Sequence, residues 1–162
     1  SGKPIPKRKL EALPKFITVV NSPDEIPVNA VVLYDEAYGR LHARTTHTME
    51  AIKTDQLIEL SRHKGWTLIY VTQESRKIDV NVLSGLDALF IKRPTDLRVS
   101  HERKEIRDII SEALRLFKRI RGNFREYVYV WSVNPDFEFK GMKRCGLPSY
   151  WNDELSKFYA GW

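Results

Sequence analysis

The stretch Ala30-Val31-Val32-Leu33-Tyr34-Asp35-Glu36-Ala37 decides the fold, because a run of apolar residues ends there in two adjacent carboxylates. A strand without polar alternation is typical of a parallel sheet that is covered on both faces. Ligands of such sheets bind beyond the carboxyl ends of the strands. We therefore expect an α/β fold in which Asp35 and Glu36 stand at a candidate site.

Strands and helices are predicted to alternate on both sides of this stretch. The strands are expected at Phe16–Val20, Trp66–Thr72, Ala88–Ile91 and Tyr127–Val133, and the helices at Thr46–His63, Ile78–Leu83 and Ser100–Arg121, with a short helix near Asn152–Tyr159. Ser100 is the expected cap of the longest helix, and Gly65 and Gly122 lie where two helices should end. This order predicts a mostly parallel sheet flanked by helices in three layers.

The chain divides by composition into three parts. We expect a basic, Pro-rich arm over residues 1–15, one α/β domain over 16–133, and an aromatic tail over 134–162. The tail is expected to pack back on the domain or to dock on a partner subunit.

Composition excludes several classes of protein. Of 162 residues, 42% are hydrophobic and 30% charged, which is globular rather than disordered or collagen-like. No run approaches the roughly 20 apolar residues of a membrane span, and no secretory signal is visible, so a cytoplasmic protein is expected. Cys145 is the only cysteine and the four histidines show no paired spacing, which argues against a structural zinc site or a nucleophile.

The charge of the chain suggests a polyanionic partner. Its net charge is +6, and Lys92–Arg125 alone holds eleven Lys and Arg against five Asp and Glu. Such a block is typical of nucleic-acid binding, although the solvated face of a long helix has the same composition. The candidate phosphate contacts are Arg115, Lys118, Arg119 and Arg121.

Two strand ends carry residues suited to nucleotide chemistry. If a nucleotide is present, Asp35 can hold the water shell of Mg²⁺, and Glu36 can polarise an attacking water. Gln73 follows the strand Trp66–Thr72, and its carboxamide can bond both that water and a γ-phosphate. An Asp-Glu pair that only begins a surface loop would look the same.

These segments resemble the FtsK–HerA superfamily, P-loop ATPases that move DNA and include viral genome-packaging motors. Val31–Ala37 is similar to a Walker B motif with its catalytic glutamate, and Arg62–Gln73 is similar to the basic-Gly, strand, Thr-Gln segment of that superfamily. Ile78-Asp79 and Leu86–Ile91 fit its continuation, so the resemblance runs from Phe16 to about Pro94.

The resemblance implies a RecA-like fold that binds Mg-ATP, with Asp35 on the metal, Glu36 as the base and Gln73 beside Thr72 at the γ-phosphate. It also implies double-stranded DNA as a partner and a homo-oligomeric ring, a hexamer or a pentamer. In such a ring a neighbouring subunit supplies an arginine, for which Arg62 fits the motif best and Arg44 and Arg76 are the other candidates.

One element of the family is missing, because no Gly-x-x-x-x-Gly-Lys-[Ser/Thr] loop occurs in the chain. Ser1-Gly2-Lys3 imitates the end of that loop and makes Lys3 the candidate phosphate ligand, but Pro4 stands where a hydroxyl is required. A segment absent from this sequence, an added Ser-Gly remnant, or a degenerate paralogue would each explain this. We expect the first, and expect little ATP hydrolysis from this chain alone.

The function expected from these residues is therefore an ATP-driven motor domain for DNA translocation or packaging. Two other classes stay open. One is a non-hydrolytic nucleic-acid-binding or assembly module that keeps the fold. The other is a metal-dependent nuclease, which needs a further acid beside Asp35 and Glu36, with Asp79 and Asp87 as the nearby options.

Overall fold

The computed structural model describes residues 13–20, 22–34, 49–73, 75–77 and 80–153, with only the backbone of 49–56 and 77. The described residues fall into two packed units. The larger, Pro27–Cys145, holds every strand of the described part, and the smaller includes residues 13–26 and 146–153 without residue 21. In the smaller unit the ring of Phe16 meets that of Tyr150 edge-on at 5.2 Å. The three-part division by composition stays a prediction.

A parallel pair of strands is at the centre of the candidate site. Strand β1, Val31–Tyr34, pairs with β2, Thr67–Tyr70, in the register Val31↔Thr67 to Tyr34↔Tyr70. Helix α1, Met49–Lys64, lies between them in the chain. This βαβ order confirms the α/β class predicted from alternating strands and helices.

The turn from α1 into β2 depends on one glycine. Gly65 has φ +66°, in the left-handed region, and a Cβ there would collide with the side-chain oxygen of Asn29. The Asn29 amide donates to the Lys64 carbonyl at 2.8 Å, and the Trp66 indole donates to the Pro27 carbonyl at 2.6 Å. These bonds hold the start of β2 against the segment that leads into β1.

In the described part of the chain, one face of this strand pair is buried and the other is exposed, which differs from the expectation of burial on both faces. Val32 is buried and Leu68 half-buried, but Val31 is 69% and Leu33 63% exposed. Because side chains alternate along a strand, the exposed residues share one face of the ladder.

The remaining strands form an antiparallel sheet in the order β3-β4-β5, with bounds Ala88–Ile91, Tyr127–Ser132 and Phe139–Arg144. Strand β5 lies within residues assigned from sequence to the tail. A complete parallel RecA-like sheet is thus not what the described residues form. Helix α4, Lys104–Phe117, covers the antiparallel sheet, and Ala113, Phe117 and Tyr129 form its buried core.

The helix expected over Ser100–Arg121 is two helices. Helix α3, Asp96–His101, is capped by the side chain of Thr95 and not by Ser100, which lies inside it. Glu102 and Arg103 are extended, with ψ 160° and 144°, and separate α3 from α4. Helix α4 ends at Phe117, before Gly122.

Other expected elements differ in smaller ways. Residues 17–20 form no strand, which corrects the prediction for Phe16–Val20, whose side chains are mostly exposed. Helix α2 is short, Val80–Ser84, and the helix expected near Asn152–Tyr159 falls almost wholly outside the described residues. Within the described part, no helix combines the length and apolar character that a bilayer crossing requires.

Candidate nucleotide site and basic surface

The carboxyl ends of β1 and β2 lie side by side. Tyr34 and Tyr70 are paired as the last residues of the two parallel strands, and the Val71 amide donates to the Tyr34 carbonyl at 2.8 Å. In the chain, Asp35 follows Tyr34 directly and Gln73 is the third residue after Tyr70. Asp35 and Glu36 are outside the described residues, so the structure gives the position of their strand and not of their side chains.

Two tyrosine rings stack beneath this edge. The ring centroids of Tyr34 and Tyr70 are 5.5 Å apart and the ring planes differ by 25°. Burial, and secondarily the neighbouring Tyr34, raises the pKa of Tyr70 to about 12. The Tyr70 hydroxyl has no hydrogen-bond partner within the described part of the chain. The pair therefore gives the edge an apolar, water-poor support.

The segment after β2 carries Gln73 and is fixed by a buried carboxylate. Gln73 is exposed and Thr72 is half-buried and has a partner. Two residues further on, the buried Ser75 hydroxyl donates to Glu102, which is only 4% exposed. Arg98 Nε lies 3.6 Å from the other oxygen of Glu102, which satisfies the carboxylate away from water.

A second set of bonds joins the same segment to the α3–α4 junction. The Arg103 guanidinium donates to the Arg76 carbonyl at 3.1 Å, and the Arg107 guanidinium donates to the Glu102 carbonyl at 2.8 Å. Sequence reasoning missed this network, because Glu102 interrupts a continuous helical pattern without a glycine or proline. The one sequence signal for this network was an acidic residue, Glu102, at a position where the helical pattern predicts a buried side chain.

Arg62 lies at the other edge of the strand pair. It is exposed in the last turn of α1, two residues before Lys64, whose carbonyl is bonded to Asn29 ahead of β1. Because β2 begins immediately afterwards at Thr67, Arg62 is near the amino end of the strand and not near Gln73. Within one chain the structure does not bring the two together. Arg76, by contrast, shares a segment with Gln73.

The predicted basic cluster begins with Arg115 in the last turn of α4, continues beyond the end of that helix and is partly neutralised. Lys118 Nζ is 2.7 Å from Asp96, and this hydrogen bond lowers the pKa of the Asp96 carboxyl. Arg115 lies 3.9 Å from Glu112. Arg119 and Arg121 are exposed beside them. All four side chains lie in reach of solvent, as a phosphate-binding surface requires.

Several candidates cannot be placed: Lys3, Arg44 and Asp79 lie outside the described residues. Asp87 directly precedes β3, which belongs to the other sheet. Cys145 is exposed, with Lys92 Nζ 3.4 Å from its sulfur.

A magnesium ion bound with a nucleotide fits the strand order. No three His, Cys, Asp or Glu side chains come together as a metal site in the described part of the chain. Mg²⁺ bound to a nucleotide needs fewer protein ligands, because phosphates and waters fill most of its shell. Asp35, the carboxylate that follows β1 in the chain, lies outside the described residues.

Comparison with known proteins gives similarity in structure alone. No family model matches the chain, and no curated protein matches it. Among solved structures, the genome packaging NTPase B204 from Sulfolobus turreted icosahedral virus 2, in complex with AMPPCP, matches with a TM-score of 0.52 and 19% identity over 73% of this chain. The DNA-packaging ATPase from Sulfolobus turreted icosahedral virus matches with a TM-score of 0.52 and 21% identity over 72% of this chain.

The similarity has a defined extent. The chain spans about half of each of these structures, 53% and 52% of their lengths. At this level of identity the match shows a shared fold. It supports the α/β class that the βαβ unit shows independently.

Proposed function

We propose that this chain is part of a nucleotide-binding ATPase that drives DNA packaging or translocation. The observation that carries the proposal is the parallel pairing of β1 and β2, whose carboxyl ends lie side by side. In the chain, Asp35-Glu36 follow the first of these ends and Gln73 follows the second. The two matched solved structures support it, since both are viral packaging NTPases and one of them is in complex with AMPPCP.

Each residue at this edge has a chemical role in the proposal. Asp35 would hold Mg²⁺ together with the phosphates of ATP, and the ion would neutralise charge on those phosphates. Glu36 would orient and polarise the attacking water, while Gln73 would bond that water and the γ-phosphate. Thr72 and Lys3 are the further proposed nucleotide contacts.

The proposal includes a ring of subunits and DNA. Since Arg62 lies away from Gln73 in one chain, an arginine finger at this position acts on a neighbouring subunit's nucleotide. A guanidinium delivered in this way stabilises charge on the transferred phosphoryl group. The partner is double-stranded DNA, bound through its phosphates by Arg115, Lys118, Arg119 and Arg121.

A second candidate function is a nucleic-acid-binding module that does not hydrolyse ATP. The observation that favours it is the absence of a Gly-x-x-x-x-Gly-Lys-[Ser/Thr] loop from the 162 residues. Such a loop supplies the backbone amides and lysine that hold the phosphates.

Steady-state ATP hydrolysis by the complete gene product that includes residues 1–162 separates the two candidates. The motor hypothesis predicts Mg²⁺-dependent turnover that falls by about 100-fold or more in Glu36→Gln, with ATP binding retained. Turnover unchanged in that variant would remove Glu36 from the mechanism. Salt-sensitive DNA binding without any turnover or nucleotide effect would favour the non-hydrolytic module.

A further inference from the structure

The two ends of the basic block identified in the sequence, Lys92 and Arg125, meet in the structure. Lys92 Nζ donates to the Arg125 carbonyl at 2.9 Å and to the Tyr127 carbonyl at 3.0 Å. Residues 92–96, which follow β3, therefore lie against residues 118–126, which lead from α4 into β4. These two segments are called the loop pair below.

Two further contacts join the segments of the loop pair. The guanidinium carbon of Arg93 lies over the Phe124 ring, 4.5 Å from its centroid. Lys118 Nζ is bonded to Asp96 at 2.7 Å, and the charge of Arg93 adds to this hydrogen bond in lowering the pKa of the Asp96 carboxyl. Arg93 is thus close both to the aromatic ring and to the ion pair, and the two segments form one continuous surface.

The loop pair carries a strong positive charge. Its segments hold six Lys and Arg against two Asp and Glu, and both carboxylates are already paired. Asp96 is bonded to Lys118, and Glu126 accepts from two guanidinium nitrogens of Arg144 at 2.7 and 3.0 Å. Four arginines remain that form no ion pair with a described residue: Arg93, Arg119, Arg121 and Arg125. Such a surface attracts a polyanion.

The contact with Phe124 leaves the hydrogen-bonding capacity of Arg93 unused. A cation–π contact is an electrostatic attraction to the ring, and it needs no oxygen or nitrogen acceptor. The five N–H donors of the guanidinium form no hydrogen bond with another described residue. Because a planar guanidinium can bind two phosphate oxygens in parallel, Arg93 is positioned by the ring and available for a phosphate.

The exposure of the four arginines favours a polymer over a small ligand. All four are exposed, whereas sites for small molecules enclose most of the surface of the ligand. A DNA strand presents a phosphate about every 3.4 Å along its axis, so one backbone can meet several separate guanidinium groups. Contacts of this kind position the DNA and do not read its sequence.

We propose that the loop pair is the surface that binds the DNA backbone, with Arg93 and Arg125 as phosphate contacts and Phe124 as the residue that positions Arg93. The inference rests on DNA as the partner in the function proposed above. It adds two contacts from outside the basic cluster named there. It also moves the centre of the DNA surface from helix α4 to the segments that follow β3 and α4.

The test is binding of a short labelled DNA duplex by the complete gene product, measured by fluorescence anisotropy without nucleotide at several salt concentrations. Arg93→Ala and Arg125→Ala remove the proposed contacts, and Lys140→Ala is the control. Lys140 is exposed and pairs with Trp131, towards the end of the β4–β5 ladder that is remote from Arg125. Thermal melting of each variant checks that it is folded.

Each arginine variant should bind the duplex about three- to tenfold more weakly. The slope of log affinity against log salt should fall by about 1, since one phosphate contact is lost. Lys140→Ala should stay within about twofold of the parent. Parental affinity and slope in either arginine variant, or an equal loss in Lys140→Ala, overturns the inference and leaves DNA as the partner. A parent that binds no duplex overturns both.

The positioning role of Phe124 has its own test. Phe124→Leu keeps an apolar side chain but removes the ring, and Phe124→Tyr keeps the ring. Phe124→Leu should weaken binding about threefold in the parent and have no effect in Arg93→Ala, because the arginine that it positions is then gone. Phe124→Tyr should bind like the parent. An equal loss from Phe124→Leu in both backgrounds is a general structural effect and overturns the positioning role.

Size-exclusion chromatography of the same variants tests a different partner for these arginines, an acidic surface on another copy of the chain. The inference predicts that Arg93→Ala and Arg125→Ala elute like the parent while they bind DNA more weakly. A smaller assembly in both variants, with a loss of DNA binding only in proportion to the dissociation, would assign the loop pair to a subunit interface and overturn the inference.

Discussion

Tyr34 and Tyr70 stack with their ring centroids 5.5 Å apart, as the paired last residues of two adjacent parallel strands. This contact marks the strand ends that Asp35-Glu36 and Gln73 follow in the chain. The two strands are hydrogen-bonded in register up to these last residues. The proposed nucleotide chemistry depends on that adjacency.

The stacked pair gives a prediction for alkaline pH. Because folding raises the pKa of Tyr70 from 10.0 to about 12, its contribution to the free energy of unfolding is complete below pH 10 and is lost as the pH rises towards 12. We expect a loss of about 1–2 kcal/mol, allowing for the partial exposure of the ring.

In Tyr70→Phe this loss should vanish, and stability at neutral pH should change little, since the hydroxyl lacks a partner among the described residues. Denaturant unfolding at several pH values measures both. An identical alkaline decline in Tyr70→Phe would contradict the assignment.

The buried Glu102 predicts a stability effect that is unusual for a glutamate, since this residue type is mostly exposed. Glu102→Ala leaves the buried Ser75 hydroxyl without its acceptor and removes the partner of Arg98, so we expect about 2–3 kcal/mol of destabilisation. The exposed neighbour Glu105→Ala is the control and should change stability by less than about 0.5 kcal/mol. Urea unfolding measures the free energy of unfolding of both variants. Equal losses in the two would contradict a stabilising role of the buried Glu102 contacts.

The turn before β2 predicts that replacing Gly65 by alanine costs more stability than replacing Gly85. Gly65→Ala should destabilise by about 1–3 kcal/mol, because alanine is strained at φ +66° and its Cβ meets the Asn29 side chain. At Gly85 a Cβ makes only ordinary contacts, the nearest at 3.5 Å, so Gly85→Ala should stay within about 0.5 kcal/mol of the parent. Thermal unfolding of both variants checks the prediction, which fails if Gly65→Ala melts with the parent.

The pairing of Lys118 with Asp96 predicts which basic residues contribute most to DNA binding. Lys118 already neutralises the carboxylate of Asp96. Arg119 and Arg121 are exposed and form no ion pair with any described residue. Arg119→Ala and Arg121→Ala should therefore each weaken binding several-fold and lower the salt slope by about 1, and Lys118→Ala should do so less. Anisotropy titrations at several salt concentrations measure this. A larger effect of Lys118→Ala would contradict the ranking.

The local sequence pattern was sufficient to predict those elements whose structure depends on residues close together in the chain. The apolar runs of β1 and β2 and the glycine after α1 give the βαβ unit, because strand propensity, burial and turn conformation all act within a few residues. The strand predicted at Phe16–Val20 does not form, because this segment has no neighbouring strand to pair with among the described residues.

Tertiary contacts decided what the pattern could not. Glu102 and Arg103 leave the helical conformation in a segment of good helix formers, and the bonds to Ser75 and Arg76 account for this break. Strand β5 contains Lys140, Gly141 and Lys143, a poor strand pattern that pairing with β4 stabilises.

The most direct test of the central claim is a double-mutant cycle in ATP hydrolysis by the complete gene product, with Glu36→Gln, Gln73→Ala and the two combined. If both residues act on one attacking water and one γ-phosphate, their effects on kcat are coupled, and the double variant is less impaired than the sum of the singles by about 1 kcal/mol or more. Effects that add within about 0.5 kcal/mol, or a kcat that neither substitution changes, would contradict a shared site at this edge.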